Sequence, residues 1–114
     1  MPVSTEFREF VVDQLRAVAP VTAKAMFGGV GLYADGHFFA LIADDVVYFK
    51  VDDSNRADFV AAGSRPFMPY GEEGSTMNYY ELPPDVLEDP ERLRRWMEKS
   101  IEVARRQKKK RVTS

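Results

Sequence analysis

His37 is the only imidazole in the chain, and cysteine is absent. Thiolate nucleophiles, disulfides, cysteine-ligated zinc and iron–sulfur clusters are therefore excluded, as are histidine-rich metal sites. An imidazole base needs an orienting carboxylate and a nucleophile or substrate within reach. His37 directly follows Asp35-Gly36, a two-residue hairpin signal. At such a tip both His37 and Asp35 are expected to face water. Carboxylate pairs occur at Asp44-Asp45, Asp52-Asp53 and Glu72-Glu73. Paired acids can hold Mg²⁺ or divide acid and base roles. These pairs, however, stand at turns or at a helix start, where Asp bonds its own backbone. Gly28-Gly29-Val30-Gly31 lacks the spacing of a phosphate-binding loop and precedes a strand instead of a helix N-terminus. Its expected role, with Met26 and Phe27, is structural. Gly28 or Gly29 should take a backbone conformation closed to other residues, or lie where a neighbouring strand leaves no room for a Cβ. No catalytic residue, metal ligand or cofactor site is assigned, and the chain reads as a non-enzyme.

Two features point to binding instead. The tail Arg105, Arg106, Lys108, Lys109, Lys110 and Arg111 carries six cations and no acid. Removing those six leaves 10 cations against all 18 acids, so the body is −8 and the tail +6. Such a run caps a helix favourably and keeps a chain soluble. It also offers weak, sequence-independent attraction to nucleic acid, which makes it the candidate nucleic-acid contact. The second feature is the irregular stretch from Arg65 to Ser75. There Phe67, Met68 and Tyr70 stand among Pro66, Pro69, Gly71 and Gly74. Prolines restrict such a loop and lower the cost of ordering it, while aromatics and Met suit interface centres. These three are the candidate protein-partner contacts. The other aromatics, Phe27, Tyr33, Tyr48, Phe49, Tyr79 and Tyr80, could form a stacking platform, but a small sheet needs bulky residues in its core, so packing is the expected role for most.

The elements that must position these residues follow from periodicity and punctuation. The length of 114 residues and a composition of 45% hydrophobic and 30% charged residues describe one globular domain. The longest apolar run, Phe38 to Ala43, is far short of the ~20 residues that span a bilayer, and no signal peptide is evident; the cytoplasm is the expected location. A first helix over about Ser4–Val18 carries the stripe Phe7, Phe10, Val11, Leu15 and Val18. Strands follow over Val21–Phe27, Val30–Ala34, Phe38–Ala43 and Val46–Val51. Phe38–Ala43 is apolar on both faces and so central, and Lys50 is expected to turn to solvent. A short helix over Asn55–Ala62 is capped from Asp52-Asp53-Ser54, with Phe59 and Val60 inward and Gly63 just past its end. Thr76–Leu82 reads as a further strand. Asp89 and Pro90 open the last helix, whose buried stripe is Leu93, Trp96, Met97, Ile101 and Ala104. The fold class is α+β: an antiparallel sheet of about four to five strands with N-terminal, middle and long C-terminal helices packed against it. The domain spans 1–106, and 107–114 is expected to be a basic, disordered tail.

Several separated segments converge on one family. Lys24-Ala25-Met26-Phe27-Gly28-Gly29-Val30-Gly31-Leu32-Tyr33, then Asp35-Gly36, Phe39 to Asp44 and Tyr48 to Asp52, resemble the N-terminal domain of TfoX/Sxy competence regulators. Ala62 to Phe67, Met77-Asn78-Tyr79-Tyr80 and Leu87-Glu88-Asp89-Pro90 resemble its later segments. The resemblance covers about residues 5–106 and implies a compact α+β domain with a role in regulating competence and DNA-uptake genes. Full-length relatives add a C-terminal helical domain, so this chain is expected to be a stand-alone N-terminal domain. The resemblance brings no catalytic residue. It implies a regulatory or adaptor domain with a protein partner in or near the transcription machinery, and leaves the oligomeric state open.

Overall fold

A computed structural model of the chain describes residues 3–26, 28–67 and 78–113, with side chains described through residue 107. The order is α1 (Thr5–Arg16), β1 (Thr22–Met26), β2 (Gly29–Ala34), β3 (His37–Ala43), β4 (Val46–Lys50), α2 (Arg56–Ala61), β5 (Tyr79–Glu81), α3 (Pro84–Leu87) and α4 (Pro90–Thr113). The five strands form one antiparallel sheet in sequence order, with β3 at its centre. This is the expected α+β class.

Local chemistry accounts for the joints. Asp35 and Gly36 both have positive φ, 52° and 78°, and so do Asp44 and Asp45, at 51° and 55°. Two such residues match the right-handed twist of hairpin strands. Asp45 also accepts the Ser4 N–H at 2.8 Å, while the Ser4 hydroxyl accepts from Phe7 N at 3.2 Å. One turn thereby holds the start of α1. Asp89 Oδ1 accepts from the amides of Glu91 and Arg92 and caps α4 behind Pro90. The backbone of α4 is helical through to Thr113. Lys, Arg and Gln are good helix formers, and extending an existing helix needs no new nucleus.

The helices cover one face of the sheet. On it Val30, Leu32, Ala40, Ile42, Val47 and Phe49 join Val11 and Leu15 of α1, Phe59 of α2, and Leu93, Met97 and Ala104 of α4 in one buried cluster. α4 lies against β3 and β4. Two expected core positions are corrected. Phe10 is 42% exposed and Val60 58% exposed. Each helical residue advances by about 100°, so the α1 arc set by Val11 and Leu15 extends towards Val12, which is buried, and away from Phe10. In α2 only Phe59 is buried. Trp96 and Ile101 are half-buried, while Ser100 and Val103 are fully buried beside Met97.

The α2 cap also differs. Asn55 stands at the N-cap but makes no side-chain cap bond. Its amide instead ties three elements together, as Oδ1 accepts from Asp52 N at 2.9 Å and Nδ2 donates to Lys50 O at 3.2 Å and to Ser100 Oγ at 3.5 Å.

Candidate functional site

The face of the sheet turned away from the helices holds the most distinctive chemistry. Its first determinant is a β-bulge. Leu32 pairs with Ala40, but the next residue, Tyr33, pairs with Phe38, so β3 carries one extra residue, Phe39. Strict alternation would put Phe38 on the same side as Ala40 and Ile42. The bulge breaks the alternation. Phe39 is fully buried against Phe49 on the helix side, its ring centroid 5.6 Å away. Phe38 emerges on the opposite side with Tyr33.

From there a row of side chains crosses the sheet. Lys24 Nζ of β1 lies 5.7 Å from the Tyr33 ring centroid. Tyr33 stacks on Phe38 at 5.2 Å and 28°. Phe38 meets Tyr79 at 5.8 Å. Lys50 Nζ sits 5.5 Å and 5.6 Å from the Phe38 and Tyr79 centroids. Lys50 therefore lies over rings and does not simply turn to solvent. A second cluster lies beside the row, where Tyr48 meets Phe67 at 4.7 Å. Phe67 is anchored there by its N–H, which donates to Tyr79 O at 2.7 Å. Met26 closes the β1 end: a Cβ on Gly31 would come within 2.6 Å of Met26 Cε and 3.2 Å of Phe38 Cε1, so the missing side chain is what lets these two settle on the sheet.

Burial, followed by the charges of Glu81 and Asp44, pushes the Tyr48 phenol above its ordinary value, which keeps it protonated and a poor base or nucleophile at neutral pH. What the row offers is aromatic faces with ammonium groups beside them, a chemistry suited to flat π-systems and anions.

The residues singled out from sequence distribute as follows. Gly28 has φ 79°, and Gly29 leaves no room for a Cβ, so both glycines play the structural part expected of them. Phe67 joins the aromatic face. Met68, Tyr70, Phe27 and Glu72-Glu73 lie outside the described residues. Phe49 is buried in the core, and Tyr80 packs on Phe59 at 6.0 Å on the helix side. Of the tail cations, Arg105 pairs with Glu102 at 2.9 Å, and Arg106 with Asp52 at 3.0 Å and Ser54 at 2.9 Å. Those two are thus engaged within the molecule; the side chains of Lys108, Lys109, Lys110 and Arg111 lie outside the described ones. His37 is half-buried with Nδ1 turned inward, not facing water. Asp44 and Asp45 serve their turn, and Asp53 pairs with Arg56. Among the described residues, no three His, Asp or Glu groups come together to hold a metal, and no helix is long and apolar enough to cross a membrane.

Phe38, Lys24 and Lys50 are site residues that sequence reasoning missed. For Lys50 a signal was available, since it stands between the apolar Phe49 and Val51. For Phe38 there was none, because its orientation depends on the bulge.

No curated protein matches the chain. The sheet with its helices on one face, the glycine run between β1 and β2, and the aspartate-initiated last helix coincide with a match to the TfoX N-terminal domain over residues 13–104 of 114. By that match, which spans all five strands, the end of α1 and α4 as far as Ala104, the chain belongs to the TfoX N-terminal domain family.

Proposed function

We propose that this protein is a non-enzymatic regulatory or adaptor domain that acts on competence and DNA-uptake genes through protein–protein contacts. The family match over residues 13–104 carries this reading. The geometry supports it: the sheet face turned away from the described helices presents rings and ammonium groups suited to recognition, and the Tyr48 phenol on it is held protonated. The partner surface in this reading includes Phe67, which sits on Tyr48 at the start of the proline- and glycine-rich stretch of the sequence.

The test is genetic. Transcripts of DNA-uptake genes and transformation frequency are measured in the source cell with the gene deleted, then restored. Both should fall on deletion and return with the wild-type chain. A Phe67→Ala chain that melts like wild type should restore them poorly. Unchanged transcripts and transformation on deletion would refute the reading.

A further inference from the structure

We propose that the sheet face turned away from the described helices binds single-stranded nucleic acid, with bases stacking on Tyr33 and Phe38 and a phosphate paired with Lys24. This goes beyond the regulatory reading and does not rest on it. The rings concerned are not core residues. Tyr33 and Phe38 are only half-buried, whereas Phe39, Phe49 and Phe59 are fully buried. Their placement depends on the Phe39 bulge, which spends one residue of the central strand to bring Phe38 out beside Tyr33. Together they make a continuous aromatic surface across β2 and β3, and Lys24 stands exposed at its β1 end.

The chemistry selects the ligand. Every base has a π-face, so stacking on aromatic side chains tolerates any sequence and changes affinity by a factor of about 5 to 150 per base. A duplex keeps those faces inside its own stack and offers only backbone and groove edges. Lys24 is exposed, and an ammonium held over a ring at an exposed position is weakly bound, so it can leave Tyr33 for a phosphate as a base arrives. Acids oppose the strand at the other end of the face, where Glu81 and Asp44 act on Tyr48. The path therefore runs along the β1–β3 side. One or two phosphate contacts imply a shallow salt dependence, a log–log slope of about −0.7 to −1.4 for a single strand. Attachment through the six tail cations would instead give a slope near −4, at about −0.7 per phosphate contact.

The experiment is fluorescence anisotropy of the full chain with a labelled thymidine oligonucleotide of about 15 nucleotides, and with a duplex of the same length, from about 50 to 200 mM salt. Saturable binding to the single strand is expected, tighter than to the duplex, with a slope shallower than about −2. Tyr33→Leu and Phe38→Leu, which keep bulk but remove the π-face, should each weaken binding by about fivefold or more. Lys24→Glu, at an exposed position, should weaken it without lowering the melting temperature. Replacing Lys108, Lys109, Lys110 and Arg111 with Gln should leave it unchanged. The proposal is overturned by no saturable binding, as a face that takes a protein instead would show. Duplex preference, loss of binding with the tail replacements, or wild-type affinity in both Lys24→Glu and a folded ring variant would each overturn it too.

Discussion

A Cβ built on Gly29 would lie 2.6 Å from the backbone carbonyl oxygen of Ile42, one strand over in the sheet. Real Cβ atoms do not approach an oxygen so closely, and the obstacle is backbone of the central strand, which cannot swing aside. Gly29→Ala should therefore displace β2 from β3 and cost about 2–4 kcal/mol, beyond the ordinary range for a surface change. Gly36→Ala provides the contrast. Gly36 has φ 78° with open space around it, so only backbone strain is introduced, about 1 kcal/mol. Urea denaturation of both variants checks the order; equal costs would show that the sheet relaxes around Gly29.

Asn55 is buried at the junction of β4, α2 and α4, where it serves the Asp52 amide and the Lys50 carbonyl. Asn55→Ala removes both partners from backbone groups next to the core and should cost about 1–3 kcal/mol. Ser100→Ala loses only a long contact of 3.5 Å to the same amide and should cost under about 1 kcal/mol. Chemical denaturation of the two single variants separates them, and a larger loss for Ser100→Ala would contradict this account.

Phe59 is fully buried and meets the half-buried Trp96 at 4.6 Å, edge to face. Phe59→Ala should cost about 3–5 kcal/mol, as for other core rings. Trp96→Ala should cost less, about 2–3 kcal/mol, because part of that ring already faces water. Val60→Lys, one residue from Phe59 but pointing outward, should stay within about 0.5 kcal/mol of wild type. Thermal melts establish whether this ranking holds.

Asp52 accepts from Ser54 and from Arg106, which joins the start of α2 to α4. Burial alone would raise its carboxyl, but the hydrogen bonds from the Ser54 hydroxyl and amide, then Arg106, outweigh it and hold the group below its ordinary value. A carboxyl depressed in the folded state adds stability above the unfolded value, near about 3.9. That stability is lost as pH falls through the folded value. Asp52→Asn should therefore lower stability at neutral pH by under about 1 kcal/mol, as suits a partly exposed pair. It should also flatten the acid limb below about pH 4. Urea midpoints at neutral and acid pH provide the check, and an acid limb as steep as that of wild type would rule Asp52 out as its source.

The hairpin turns and the start of the last helix are legible in the sequence, because their causes act within a few residues. Asp35-Gly36 and Asp44-Asp45 adopt the positive φ values that tight hairpins need, Gly63 ends α2 at φ 75°, and Asp89 with Pro90 starts α4. Phe38–Ala43, apolar at every position, lies at the centre of the sheet as its composition requires. The candidate site was much less legible. Alternation along β3 assigns Phe38 to the helix side, and only the mismatch in residue number between β2 and β3 reverses it. Nothing local in β3 reports that mismatch, since it belongs to the pairing of two strands. Lys50 comes to rest on Phe38 and Tyr79 because β5, from a distant part of the chain, pairs with β4 and places Tyr79 opposite it. Ser100 is buried, though polar, and Asn55 reaches it from 45 residues away. Composition and short-range spacing therefore determine most of the elements. Which side chains share a face, and so what that face can bind, is decided by register between strands, which exists only once the sheet has formed.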